Sequence, residues 1–233
     1  MHATVTFPID EAPPEEERAG TNKEHPSFHA PRVSASSSAC ANHAVRDLVQ
    51  EVFSPALSRA VRRLLVTSLD TDTDAAEFCA LMGRAMTVSL PGTVCLVEAD
   101  PQQRLSYRLL GRGLKPEDPL PLVVSEHLWL NTACNFLSRS PLSREIPTLS
   151  VSSKAGEEFT YFVIHAPAEP SLNQTILLGQ DSDATLLVLQ AHRTRRAVAQ
   201  RATEVLRRAK VNIRGIVLAG RTFPVPEALY RRL

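Results

Sequence analysis

Three aspartates, Asp70, Asp72 and Asp74, alternate in a short polar stretch, with Glu77 close behind. Carboxylates at alternate positions open a calcium-binding loop, whose pattern also asks for glycine at the sixth position and glutamate at the twelfth. Ala75 and Leu81 stand there instead, which favours an acidic loop capping a helix N-terminus, where aspartate suits the dipole. A second acidic pair, Glu98 and Asp100, and a single histidine, His165, each close a short apolar run. They could form an acid/base cluster, but perturbed clusters are often structural, and a histidine held by neighbouring carboxylates is the simpler expectation. Ser68 ends another apolar run without the Gly-x-Ser-x-Gly elbow of a hydrolase nucleophile. His25 and His29 have a helical metal spacing but enclose Pro26. Cys40, Cys79, Cys95 and Cys134 are scattered, with no C-x-x-C pair; buried reduced thiols and no metal site are expected.

The elements that must position these residues are legible from periodicity. Leu64 to Ala85, LLVTSLDTDTDAAEFCALMGRA, reads as a strand, a polar turn and a helix over 75–88. The strand, Leu64 to Ser68, lacks alternation, as one covered on both faces should; Thr93 to Ala99 and Tyr161 to Ala166 read as further buried strands, Leu128 to Leu130 as a shorter one, and Ala184 to Gln190 and Val211 to Leu218 as the last two. Thr194 is expected to cap a helix whose Val198, Ala202, Val205, Leu206 and Ala209 share one face. A strand, a helix and a strand joined so closely make a right-handed parallel crossover. The chain is therefore expected to be α/β, with a mostly parallel twisted sheet and helices on both faces, a three-layer α/β/α arrangement. Ligands in such sheets lie at the carboxyl ends of the strands, where Asp70 to Asp74, Glu98, Asp100 and His165 all fall.

In a nucleotide-binding protein of this class the first strand-to-helix turn cradles phosphate, with glycines admitting the backbone N–H groups and a lysine meeting the charge. Here the turn carries aspartates, and Ala75 and Ala76 stand where lysine and serine would be wanted. Close like charges cost about 1 to 4 kcal/mol per pair near 4 Å, and side chains at Asp72 and Asp74 restrict the backbone that glycine would free.

Composition bounds the rest. With 233 residues, 43% of them hydrophobic, one good core is available. No apolar run approaches the roughly 18 residues that a membrane helix needs, and the first residues lack a basic-then-apolar signal segment; a cytoplasmic protein is expected. Residues 1–42 hold five prolines, an acidic run at Glu15 to Glu17 and a serine cluster, and are expected to be disordered, leaving 43–233 as a single domain. A short amphipathic helix over 44–53, with Val45, Leu48, Val49, Val52 and Phe53 on one face, should pack on the core or on another subunit. Residues 193–233 carry eleven Arg or Lys against Glu204 and Glu227, and 220–233 reads as a basic tail. Such asymmetry marks a surface for nucleic acid, an acidic partner or an anionic membrane, or a solvated helix face. Few aromatic residues lie in it, so no nucleic acid is expected.

The order of these segments, and above all the ending TFPVPEALYRRL, resembles the cytoplasmic domain of the bacterial tyrosine kinases that control capsule and exopolysaccharide export. Those kinases group with the chromosome-partitioning and septum-placing ATPases among the deviant P-loop proteins. The resemblance runs from about Val45 to Leu233. It implies that Asp72, Asp74, Ala75 and Ala76 replace the family's two glycines, lysine and serine or threonine, and that Glu98 and Asp100 keep its acidic pair. It further implies that His165 replaces a magnesium-holding aspartate, that Ala219 and Gly220 stand near the lost adenine-reading asparagine, and that Tyr230 alone remains of the phosphorylated tail. A catalytically degenerate regulatory or scaffolding protein of exopolysaccharide assembly is therefore expected. It would have no cofactor unless the altered turn still takes ATP and magnesium. Its partners would be a membrane chain-length regulator, an active kinase homologue or a second copy through 44–53, which would bring it to the periphery of the inner membrane. The alternatives are a working ATPase or tyrosine autokinase with an atypical site, and a calcium- or nucleic-acid-responsive module.

Overall fold

The computed structural model describes residues 4–7, 35–53, 60–71, 73–133, 159–168 and 173–220, with side chains from 43 onward. The elements are β1 (Thr4–Phe7), α1 (Ala35–Val52), β2 (Arg63–Ser68), α2 (Ala75–Ser89), β3 (Val94–Glu98), α3 (Arg104–Leu110), β4 (Leu122–Ser125), β5 (Leu128–Thr132), β6 (Tyr161–His165), α4 (Asn173–Gln180), β7 (Ala184–Gln190), α5 (Arg196–Arg208) and β8 (Ile213–Ala219). They form one eight-stranded sheet in the order β1-β8-β7-β2-β6-β3-β5-β4. All neighbouring pairs are parallel except β4 with β5.

The strands are parallel because the connections between them are crossovers, and parallel strands must be covered on both faces. Residues of β2, β3 and β7 are buried almost without interruption. On one face Leu64, Val66, Leu96, Leu130, Val163 and Leu186 pack against α1, α2 and α3 through Val49, Phe78, Met82 and Leu105. On the other, Leu65, Val97 and Ile164 meet Leu178 of α4, and Leu187 and Leu189 meet Leu206 of α5. The three-layer α/β/α architecture is thus the expected one. The apolar face of α1, with Val45, Leu48, Val49 and Val52, is buried in this domain's own core.

Several elements differ from their sequence readings. Within 1–42, expected to be disordered, Thr4–Phe7 is a strand paired in parallel with β8, Thr4 opposite Ile216 and Phe7 opposite Ala219. Its β-branched and aromatic residues suit a strand, and it covers an edge that β8 would otherwise expose. Helix α1 starts at Ala35, eight residues before His43. The rest of 1–42, the weakly patterned 135–157, and the basic tail beyond Gly220 with Tyr230 lie outside the described residues. Helices α3 and α4 and the edge strand β4 were not legible, being seven, eight and four residues long. Among the described residues no helix is long and apolar enough to cross a membrane.

Candidate functional site

Strand β2 delivers the first turn at its carboxyl end. Asp70 is not left to solvent there. One carboxylate oxygen accepts the Thr73 backbone N–H at 2.8 Å and the Thr73 hydroxyl; the other accepts the Thr194 hydroxyl at 2.9 Å. Ser68 Oγ donates to the Asp70 carbonyl at 2.9 Å. The turn is thus closed on itself and tied to the segment after β7. Thr194, expected as a helix cap, does different work. Arg195 is the residue flanking α5, with no side-chain cap, and Thr194 Oγ1 accepts the Gln190 N–H at 3.1 Å while donating to Asp70.

Asp74 is the N-cap of α2, its carboxylate accepting the Glu77 N–H at 2.8 Å. This satisfies one of the four N–H groups that the start of a helix leaves without partners. Arg108 of α3 pairs with Asp74 and holds Glu77 at 2.8 Å, while Arg104 donates to the Thr71 carbonyl at 2.8 Å and faces Asp100 at 3.5 Å. Arg108 thus meets the charges of Asp74 and Glu77, and Arg104 ties α3 to the turn through the Thr71 carbonyl. Ala75 and Ala76 begin α2 and are buried. Asp72 lies outside the described residues.

One strand over, β3 and β6 are paired so that Glu98 stands opposite His165. Both are 3% exposed, and His165 Nδ1 donates to Glu98 Oε1 at 2.9 Å. With Glu98 as a carboxylate, which only accepts, this contact calls for the Nδ1–H tautomer. The remaining capacity of Glu98 is used locally. Oε1 also accepts the Asp100 N–H at 3.2 Å, and Oε2 accepts the N–H and the hydroxyl of Ser106 at 2.9 and 3.1 Å. Asp100 in turn accepts the Gln102 N–H at 3.0 Å. Glu98 thereby anchors the start of α3, the helix whose arginines reach the first turn.

Asp70 and Asp74 thus follow β2, Glu98 and Asp100 close β3 and His165 closes β6, all at the carboxyl ends of the strands. Ala219 ends β8, where its carbonyl accepts the Ala191 N–H at 2.7 Å, and Gly220 follows with φ +69°. Thr73, Ser106, Arg104, Arg108 and the role of Thr194 were missed; a signal existed only for the arginines, spaced four apart on one helical face. Among the described residues no group of three or more His, Cys, Asp or Glu could hold a metal ion. Cys79, beneath the site, is free, and its thiol is pushed well up by burial, with the Glu98 and Asp74 charges adding to the effect. Burial raises the Cys95 thiol likewise. Both are buried free thiols, as expected, while the Cys40 side chain and Cys134 lie outside the described residues.

No protein-family model matches the chain, and no curated protein matches it in sequence. Its fold is found among solved structures. The kinase domain of Escherichia coli tyrosine kinase ETK is 16% identical, with a TM-score of 0.55 over 81% of this chain and 80% of that one. The BceF tyrosine kinase domain is 19% identical, with a TM-score of 0.56 over 78% of each. A plasmid partition protein from Borrelia burgdorferi is 13% identical, with a TM-score of 0.52 over 75% of this chain and 86% of that one. At such identities the likeness is one of architecture: the chain has the fold of these tyrosine-kinase domains and this partition protein.

Proposed function

We propose that this chain is a catalytically degenerate P-loop protein that acts by contact, as a regulatory or scaffolding component of exopolysaccharide assembly. The observation that carries the reading is the state of the first turn. A phosphate cradle needs free backbone N–H groups and a cation. Here the Thr73 N–H is taken by Asp70 and the Glu77 N–H by Asp74, and no lysine stands between Leu69 and Glu77. The nearby cations, Arg104 and Arg108, face Thr71, Asp100, Asp74 and Glu77. A triphosphate entering this turn would have to displace two carboxylates from their donors and meet their charge. The residues present do not fit a magnesium nucleotide, so no phosphoryl-transfer step is assigned.

The link to exopolysaccharide rests on the resemblance of the chain's ending and on the tyrosine-kinase domains that share the fold. Docking onto a membrane chain-length regulator or an active kinase homologue would suit a protein that kept the architecture and lost the chemistry. Titration calorimetry of the purified chain with ATP and with ADP, each with and without magnesium, tests the reading, with calcium alone as a further arm. No heat of binding and no rise in melting temperature are expected. A nucleotide at a hundred times its Kd would stabilise by about 2.7 kcal/mol. A magnesium-dependent shift of that size would overturn the degenerate reading in favour of a working ATPase or autokinase, and a calcium shift would revive the calcium loop.

A further inference from the structure

Among the described residues the most one-sided surface lies on the layer made by α4 and α5, whose leading segment meets the first turn at Thr194. From 191 to 214 the chain has eight basic residues, Arg193, Arg195, Arg196, Arg201, Arg207, Arg208, Lys210 and Arg214, and one acid, Glu204. All eight are exposed, and Glu204 is paired with Arg208. Helix α5 lies flat on the sheet through Ala199, Ala202 and Leu206, so its opposite face presents Arg196, Arg201, Arg207 and Arg208 over a length of roughly 20 Å. Two apolar side chains are exposed in the same layer: Val198 of α5, 49% exposed, and Leu177 of α4, 56% exposed. The ends of the two helices are tied together, Gln180 Nε2 donating to the Ala209 carbonyl at 2.7 Å.

We propose that the outer face of the α4–α5 layer docks directly on anionic phospholipid bilayers. Charge complementarity selects a polyanion, because a field of one sign attracts and retains the opposite one. The choice of a membrane follows from what accompanies the charge. Exposed Val198 and Leu177 gain nothing from phosphates on a duplex, but beside arginines they match the mixed apolar and basic face that settles at the headgroup boundary. Arginine stems also cover apolar surface while the guanidinium stays in the polar layer. The described face includes no Phe, Tyr or Trp on which an unpaired base could stack. The inference rests on the exposed charge of this layer and does not depend on the degenerate reading of the first turn.

Cosedimentation of the full chain with vesicles tests it, using phosphatidylcholine alone and phosphatidylcholine with phosphatidylglycerol in a two-to-one ratio. Binding is expected only to the anionic vesicles, and it should weaken as salt is raised. Replacing Arg196, Arg201, Arg207 and Arg208 together by glutamine should weaken it by about a hundredfold or more, each basic side chain near the surface contributing to the attraction. The same four replaced by lysine should retain it. Arg84→Gln, on the exposed side of α2 in the opposite layer, should leave it unchanged. Val198→Ser with Leu177→Ser should weaken it severalfold at constant charge. Melting temperatures of the variants identify any that fail to fold, and the lysine variant then carries the comparison with Arg84→Gln. Equal binding to neutral vesicles, no binding, or full binding by a folded glutamine variant would overturn the proposal. So would loss of vesicles to duplex DNA with no effect of the two serines, which would make the face a nucleic-acid surface.

Discussion

Glu98 and His165 are the most constrained polar residues of the site. A buried carboxylate with four donors around it is stable only as a complete set, because each partner left behind is a buried polar group without water. Glu98→Ala would orphan the His165 ring and the Ser106 N–H at once and should cost about 3 to 5 kcal/mol; urea unfolding measures it. His165→Ala should cost less, since Glu98 keeps Ser106 and Asp100, and the double variant should show a coupling of roughly 1 to 3 kcal/mol. Additive losses would mean that the contact contributes nothing of its own. Asp74→Ala should remove about 1 kcal/mol as a lost helix cap, more if Arg108 then faces Glu77 alone. Far from the site, the Arg112 guanidinium and the Lys115 N–H hold the Asp118 carboxyl at about 2, below its ordinary 3.8. A group depressed in the folded state contributes stability above its unfolded value and loses it as pH falls through the folded one. The difference in melting temperature between the chain and Asp118→Asn should therefore be present at pH 5 and fade between roughly pH 4 and pH 2. The candidate positions were legible in the sequence because each acid or histidine closes an apolar run. Their partners were not: Thr194 lies 124 residues from Asp70, and nothing local in either segment announces the other.

At the scale of elements, the unit β2–turn–α2–β3 decides where the site sits. Its helix lies close on the sheet at Gly83, where an added Cβ would stand 2.8 Å from Leu96 Cδ2 and 3.2 Å from Leu128 Cδ1. Both leucines are fully buried, so neither can swing aside into solvent. Gly83→Ala gains helix propensity of about 1 kcal/mol but should lose about 1 to 3 kcal/mol to overpacking. The expected outcome is a lower or at best equal midpoint in chemical denaturation; a clear stabilisation would show that α2 can lift away from β3 without loss. Long apolar runs such as β7 and β8, and the strongly patterned α2 and α5, could be read from the sequence because burial on both faces or on one stripe leaves a period. Helices of seven and eight residues, α3 and α4, have too few turns to show one. The assumed inward face of α5 also needed correction at Val198, which periodicity put in the core and which is half exposed. It lies in the first turn of α5, beyond the reach of the packing made by Leu206.

Across the whole molecule the sheet has two kinds of end. At β4 the edge is a short antiparallel strand with a register shift between Val123 and Ser125, and such irregularity discourages pairing with another chain. At the other end β8 (Ile213–Ala219) pairs with β7 in regular register from Gly215 on, after a shift between Thr185 and Leu186, and β1 covers its second half by pairing with Ile216 to Ala219. The core itself is carried by β2, β3, β6 and β7 with the helices on both faces, and β1 adds four residues to the edge of the sheet. Removing residues 1–7 should accordingly leave a folded domain, with far-ultraviolet dichroism nearly unchanged and a melting temperature lowered by a few degrees, about 1 kcal/mol corresponding to roughly 2 to 4 °C in a chain of this size. The larger effect should be on association. With the β8 backbone groups open, the truncated chain should show a concentration-dependent rise in apparent mass by light scattering that the full chain does not show, since an open regular edge is a template for another strand. Identical mass at all concentrations would mean that β8 is protected without β1. Loss of the folded state would mean that the first residues belong to the core, against the small area that a four-residue edge strand can bury.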